Sequence, residues 1–109
     1  ARLAAVRSIE GGMGTVLGPR DAAADEARLV AAVGRGDAAA FRCLIDRHLS
    51  GVTAVARRML RDDAEAEDVA QEAFLRLWRM GSSLDIGAAG VKPWLRRVVS
   101  NLCIDRIRG

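Results

Sequence analysis

The stretch 62-DDAEAEDVAQEAFLRLWRM-80 decides the fold class. Its apolar residues Val69, Ala73, Phe74, Leu77 and Trp78 recur at spacings of three and four, the period of a helix with one buried face. Asp62 followed by Glu65 has the spacing of a capping box, and acids in a first turn complement the helix dipole. Met80-Gly81 ends the pattern. The spacing therefore predicts a helix from Asp62 or Asp63 to about residue 80.

The same period extends outward in both directions. Upstream, Phe41, Leu44, Ile45, Leu49, Val52, Val55, Ala56, Met59 and Leu60 predict a long helix over 38–60, with Asp37 as its N-cap. Gly51 inside it costs about 1 kcal/mol relative to alanine without having to end it. A shorter helix is expected over 25–33, broken by Gly34-Arg35-Gly36. Downstream, 91-VKPWLRRVVSNLCIDRIR-108 reads as a helix with Pro93 in its first turn, where a missing N–H does no harm. Trp94, Leu95, Val98, Val99, Leu102 and Ile107 are expected to face inward, and Arg96, Arg97, Asn101, Arg106 and Arg108 outward. Alanine is abundant, tyrosine is absent and no period-2 alternation occurs. The expected fold is all-α, a compact bundle of about four helices. Residues 1–24 are expected to be a flexible leader and 25–109 the domain.

Charge is distributed unevenly along this pattern. The net charge is +3, and of the 17 basic residues only Lys92 is lysine. Six acids (Asp62, Asp63, Glu65, Glu67, Asp68 and Glu72) crowd 61–72 against one base, whereas 92–109 holds five bases against Asp105. Opposite fields on neighbouring helices point to two different partners. On the acidic helix Asp68, Gln71, Glu72 and Leu75 share a face. That face reads either as a docking surface for a basic helix or as an ordinary solvated one. On the basic helix Arg97, Asn101 and Arg108 share a face, flanked by Arg96 and Arg106. Arginine grips phosphate in a bidentate fork and asparagine can bond base edges. An ordinary polar helix face is the alternative there. Trp78 and Trp94 read as core or as stacking platforms.

Other chemistries find little support. Cys43 and Cys103 are too far apart to suggest a metal site or disulfide framework, and read as buried thiols. A metal-dependent phosphohydrolase built on the 62–72 acids would need a loop or several elements to converge, and His48, the one histidine, has no sequence-close partner. No P-loop, G-x-S-x-G or H-E-x-x-H occurs. No cofactor and no metal are expected. No apolar run approaches the roughly 20 residues of a membrane span, so a soluble, cytoplasmic chain without membrane insertion is expected.

The segment from Glu67 to Trp78 (D-x-x-Q-E-x-F-x-x-x-W) followed by P-W-L-x-R at 93–97 resembles region 2 of bacterial sigma factors, most nearly the extracytoplasmic function group. The Gly36-Asp37 break before the Phe41-containing helix is similar to that group's pattern as well. The resemblance implies docking of Asp68, Gln71 and Glu72, with Leu75 and Trp78, on the clamp helices of the largest subunit of core RNA polymerase. It implies recognition and melting of the promoter −10 element on its non-template strand. Asn101 would meet a flipped base, Arg96 and Arg97 would contact phosphates with Lys92 and Arg108 beside them, and the loop around Leu84 and Asp85 would form the base pocket. It further implies an anti-sigma factor as partner. A C-terminal helix-turn-helix domain that reads the −35 element is expected to be absent from this chain. A helical protein–protein adaptor that never meets DNA is the alternative function.

Overall fold

The computed structural model describes residues 19–81 and 90–109. They form α1 (Pro19–Gly34), α2 (Ala38–Leu60), α3 (Asp63–Met80) and α4 (Val91–Arg108), with no strand among the described residues. The all-α bundle is as expected. α1 starts six residues earlier than the apolar pattern suggested. Pro19 sits at its first position, where a fixed φ and a missing N–H are tolerated.

Each break has a local cause. Beyond α1, the Gly36 N–H donates to the Val33 carbonyl at 2.9 Å, and Gly36 takes φ +85°, a conformation that costs glycine little. The Asp37 carboxylate then accepts from the Ala39 and Ala40 N–H groups at 3.0 and 3.2 Å, capping α2. α2 ends at Arg61, which takes the left-handed region (φ 55°, ψ 33°) and donates its N–H to the Arg57 carbonyl at 2.8 Å. One residue later Asp62 caps α3, accepting from the Glu65 N–H at 3.0 Å. Only this arm of the capping box forms, because the Glu65 side chain is engaged with Arg106 of α4.

α2 is the central helix, in contact with α1, α3 and α4. One apolar core runs between them. α2 contributes Leu44, Val52 and Ala56, α3 contributes Ala66, Val69, Ala70, Ala73, Phe74 and Leu77, and α4 contributes Val91, Leu95, Val99 and Cys103. Trp78 and Trp94 are half-buried against this core, and the Trp78 ring lies 5.0 Å from that of Phe41. Both tryptophans thus pack as core residues. No described polar side chain is buried.

Ile107 departs from the expected inward position: it is 63% exposed. The buried positions of α4 step by four from Val91 through Leu95 and Val99 to Cys103. The stripe stops at Cys103, and residues 104–108 are all exposed, so the last turn of α4 extends beyond the core. Arg106, exposed like its neighbours, turns sideways toward α3 to pair with Glu65.

Arg61 is the one described non-glycine residue with positive φ. Arg61→Gly should therefore raise stability by about 0.5–1 kcal/mol, measured as a higher urea midpoint with an unchanged slope.

Candidate functional site

Burial of Ala66, Val69, Ala70, Ala73, Phe74 and Leu77 fixes the rotation of α3 and turns Asp68, Gln71 and Leu75 to solvent, with Glu72 half-buried at their side. The structure brings these four together as one face. Trp78, two turns after Gln71, is half-buried, with its ring 5.0 Å from that of Phe41, a residue that lines the groove beside this face. The acids of the helix are used unequally. Asp63 pairs with Arg57 at 2.9 Å, and Glu72 lies 3.5 Å from Arg76 and 3.4 Å from Arg79. Asp68 has no ion-pair partner within 4 Å among the described residues.

Beside this face an apolar groove of about 240 Å³ runs between α2 and α3, lined by Phe41, Ile45, Leu49, Gln71, Phe74 and Leu75. Leu75 is 42% exposed at its edge. The face thus combines charge on one side with accessible apolar area on the other, a composition suited to a partner helix.

On α4 the Val91–Cys103 stripe turns Arg97, Asn101 and Arg108 directly away from the core, all exposed. Ile104, 40% exposed, lies on the same strip. Sequence reasoning passed it over, although its place three residues after Asn101 and four before Arg108 was readable. Lys92 and Arg96, also exposed, occupy the adjacent strip, nearer α2. None of Lys92, Arg96, Arg97 and Arg108 has an acid within ion-pair distance among the described residues. Arg106 differs. Its hydrogen bond to Glu65, together with the charges of Glu65 and Asp68, holds its pKa above the ordinary arginine value. It is exposed, as expected, but its side chain reaches across to α3 and joins the two helices. Leu84 and Asp85 lie outside the described residues.

His48 does have a partner, 22 residues upstream: its Nε2 lies 2.9 Å from Oε2 of Glu26 on α1. Among the described residues no three acidic, histidine or cysteine side chains converge as a metal site. No described helix is long and apolar enough to cross a membrane. Cys103 is fully buried and Cys43 half-buried, and neither forms a disulfide.

Comparison with known proteins gives a family for the chain. The family model described as Sigma-70 region 2 matches residues 44–109. The extracytoplasmic function RNA polymerase sigma factor SigW of Bacillus subtilis is 42% identical over 76 residues, covering 70% of this chain and 40% of SigW. SigM of Mycobacterium tuberculosis, a sigma factor of the same group, is 40% identical over 83 residues, covering 76% of this chain and 42% of SigM. The chain therefore spans about 40% of the length of these relatives. No solved structure matches the chain significantly.

Burial pushes the Cys103 thiol pKa up, opposed in part by the nearby Arg106 charge. A thiol raised in the folded state favours folding below the unfolded thiol pKa, roughly 8.5, and that contribution fades as pH rises past it. Urea unfolding should show wild type losing more stability than Cys103→Ala between pH 7.5 and 9.5.

Proposed function

The chain belongs to the sigma-70 region 2 family, and on that basis we propose that it is the part of an extracytoplasmic function sigma factor that joins core RNA polymerase and then captures the melted −10 element. The observation that carries this reading is the pair of outward faces on adjacent helices. α3 presents Asp68, Gln71, Glu72 and Leu75 beside an apolar groove, and α4 presents Arg97, Asn101 and Arg108 without acid partners among the described residues. The α3 face suits the clamp helices of the largest polymerase subunit. Asp68 supplies a charge with no ion pair within 4 Å among the described residues, Gln71 an amide and Leu75 apolar contact. Glu72 keeps one side open to solvent, and its surface ion pairs with Arg76 and Arg79 are weak enough to exchange for a partner's cation.

The α4 face suits a single strand. Its arginines hold phosphates by paired N–H donors, and Asn101 between them can bond the edge of an unstacked base. Unstacking costs a few kcal/mol per base. A face with so few cations does not supply that from free DNA, so attachment to polymerase raises the local concentration of strand and makes capture effective. Nothing in this arrangement calls for catalysis. The work is binding, in the cytoplasm where polymerase and promoter are. An anti-sigma factor that covers the α3 face would block polymerase access. The adaptor reading has no observation in its favour, since it leaves the likeness to sigma factors unexplained.

Reversing charge at both positions, Asp68→Arg with Glu72→Arg, is expected to abolish pull-down by isolated polymerase clamp helices while leaving the circular dichroism spectrum unchanged; retained binding would refute the docking assignment. Asn101→Ala should lower discrimination between a −10-like single strand and a scrambled one by roughly tenfold, as expected for loss of a contact worth 1–3 kcal/mol, read by fluorescence anisotropy. Equal discrimination before and after substitution would remove Asn101 from base recognition.

A further inference from the structure

A second pocket, of about 280 Å³, opens between α2 and α4, on the side of α4 that carries Lys92 and Arg96. Arg47, His48, Gly51 and Val52 line it from α2. Cations therefore converge on it from two helices. Lys92 and Arg96 have no acid within ion-pair distance among the described residues. Arg47 and His48 are held from behind by α1: Asp25 and Glu26 take Arg47, and Glu26 takes His48 at 2.9 Å. A guanidinium has five N–H donors in a planar fork, so acids on one side orient it without exhausting it.

Gly51 is a second, independent observation. It lies inside α2, exposed, and a Cβ built there would meet no atom of the protein within 4 Å. Packing therefore does not require glycine, which is an unfavourable residue in a helix interior. A glycine there leaves the α2 backbone open to close approach from outside the protein. A pocket lined by an exposed glycine and by arginine and lysine side chains from two helices has the chemistry of a phosphate site.

We propose that this α2–α4 pocket receives a backbone phosphate of the strand held by α4, so that Arg47 and Gly51 of α2 take part in strand binding. This rests on the strand-binding reading of α4. A phosphodiester is favoured over a free phosphate ion because the pocket adjoins the Arg97–Asn101–Arg108 strip through Arg96. It also has more room than one oxyanion needs. In this arrangement α1 is a positioning element, since its two acids hold the α2 wall in place without touching the strand.

Anisotropy titrations of the 109-residue chain with a labelled −10-like single strand, across a series of low salt concentrations, test the proposal. Arg47→Gln is expected to weaken binding several-fold for every strand sequence. It should also flatten the slope of log affinity against log salt by about 0.7, the contribution of one phosphate contact to a single strand. Gly51→Ala is expected to raise the thermal midpoint yet weaken the strand several-fold, a combination that a purely structural role would not produce. Asn101→Ala should keep the full salt slope and lose base preference, which reports on the α4 reading separately. Unchanged affinity and slope in both Arg47→Gln and Gly51→Ala, with Asn101→Ala still losing preference, would overturn the pocket and leave the α4 reading standing. Competition by inorganic phosphate against chloride at matched ionic strength separates the free ion. Phosphate-specific displacement that Arg47→Gln abolishes, without any change in the strand's salt slope, would make this a free-anion site and equally overturn the proposal.

Discussion

The rotation of α3 and α4 about their own axes, set by burying one apolar stripe of each in the core around α2, is the constraint on which the rest of the structure depends. On α3 the buried set is rich in alanine, with Ala66, Ala70 and Ala73 all 1% exposed or less. Small side chains let helices approach closely, and little space is left for the helix to turn. Because the stripe is narrow, the positions one step off it, 68, 71, 72 and 75, are directed outward as a group. The same argument applies to Val91, Leu95, Val99 and Cys103 on α4, which direct 97, 101 and 108 outward. Function is placed by burial: the polar residues lie where they do because the apolar ones cannot lie elsewhere.

Helix ends reinforce this placement at low cost. Asp37 and Asp62 each satisfy orphan N–H groups at the start of a helix, so α2 and α3 begin where the pattern requires. The Glu65–Arg106 pair then ties the first turn of α3 to the last turn of α4. It is a surface contact whose value is geometric more than energetic. It withdraws one acid from the α3 run and one base from the α4 run, which leaves Asp68 and the Arg97–Asn101–Arg108 strip more clearly separated.

Much of this was legible in the residue order. The 3.6-residue period located three of the four helices to within about one residue, and it put Asp68, Gln71, Glu72 and Leu75 on one face, as observed. Local pattern failed where tertiary contact decides. Ile107 looked like one more core position, but the buried stripe stops at Cys103 and the last turn of α4 is exposed. The acid that partners His48 comes from α1, 22 residues away, beyond the reach of a local pattern. The two-walled pocket could not be read at all, because Gly51 and Lys92 are brought together only by the crossing of α2 and α4. Family resemblance supplied what periodicity cannot, namely which partners two oppositely charged faces would meet.

The most direct measurement of the central claim is hydroxyl-radical side-chain footprinting of the chain with and without the isolated clamp helices of RNA polymerase. Leu75 on α3 and Ile104 and Ile107 on α4 are the exposed large apolar reporters among the described residues. If burial has aimed α3 at polymerase and α4 elsewhere, Leu75 loses reactivity on binding while Ile104 and Ile107 keep theirs. Protection of Ile104 and Ile107 with Leu75 still reactive would contradict the account.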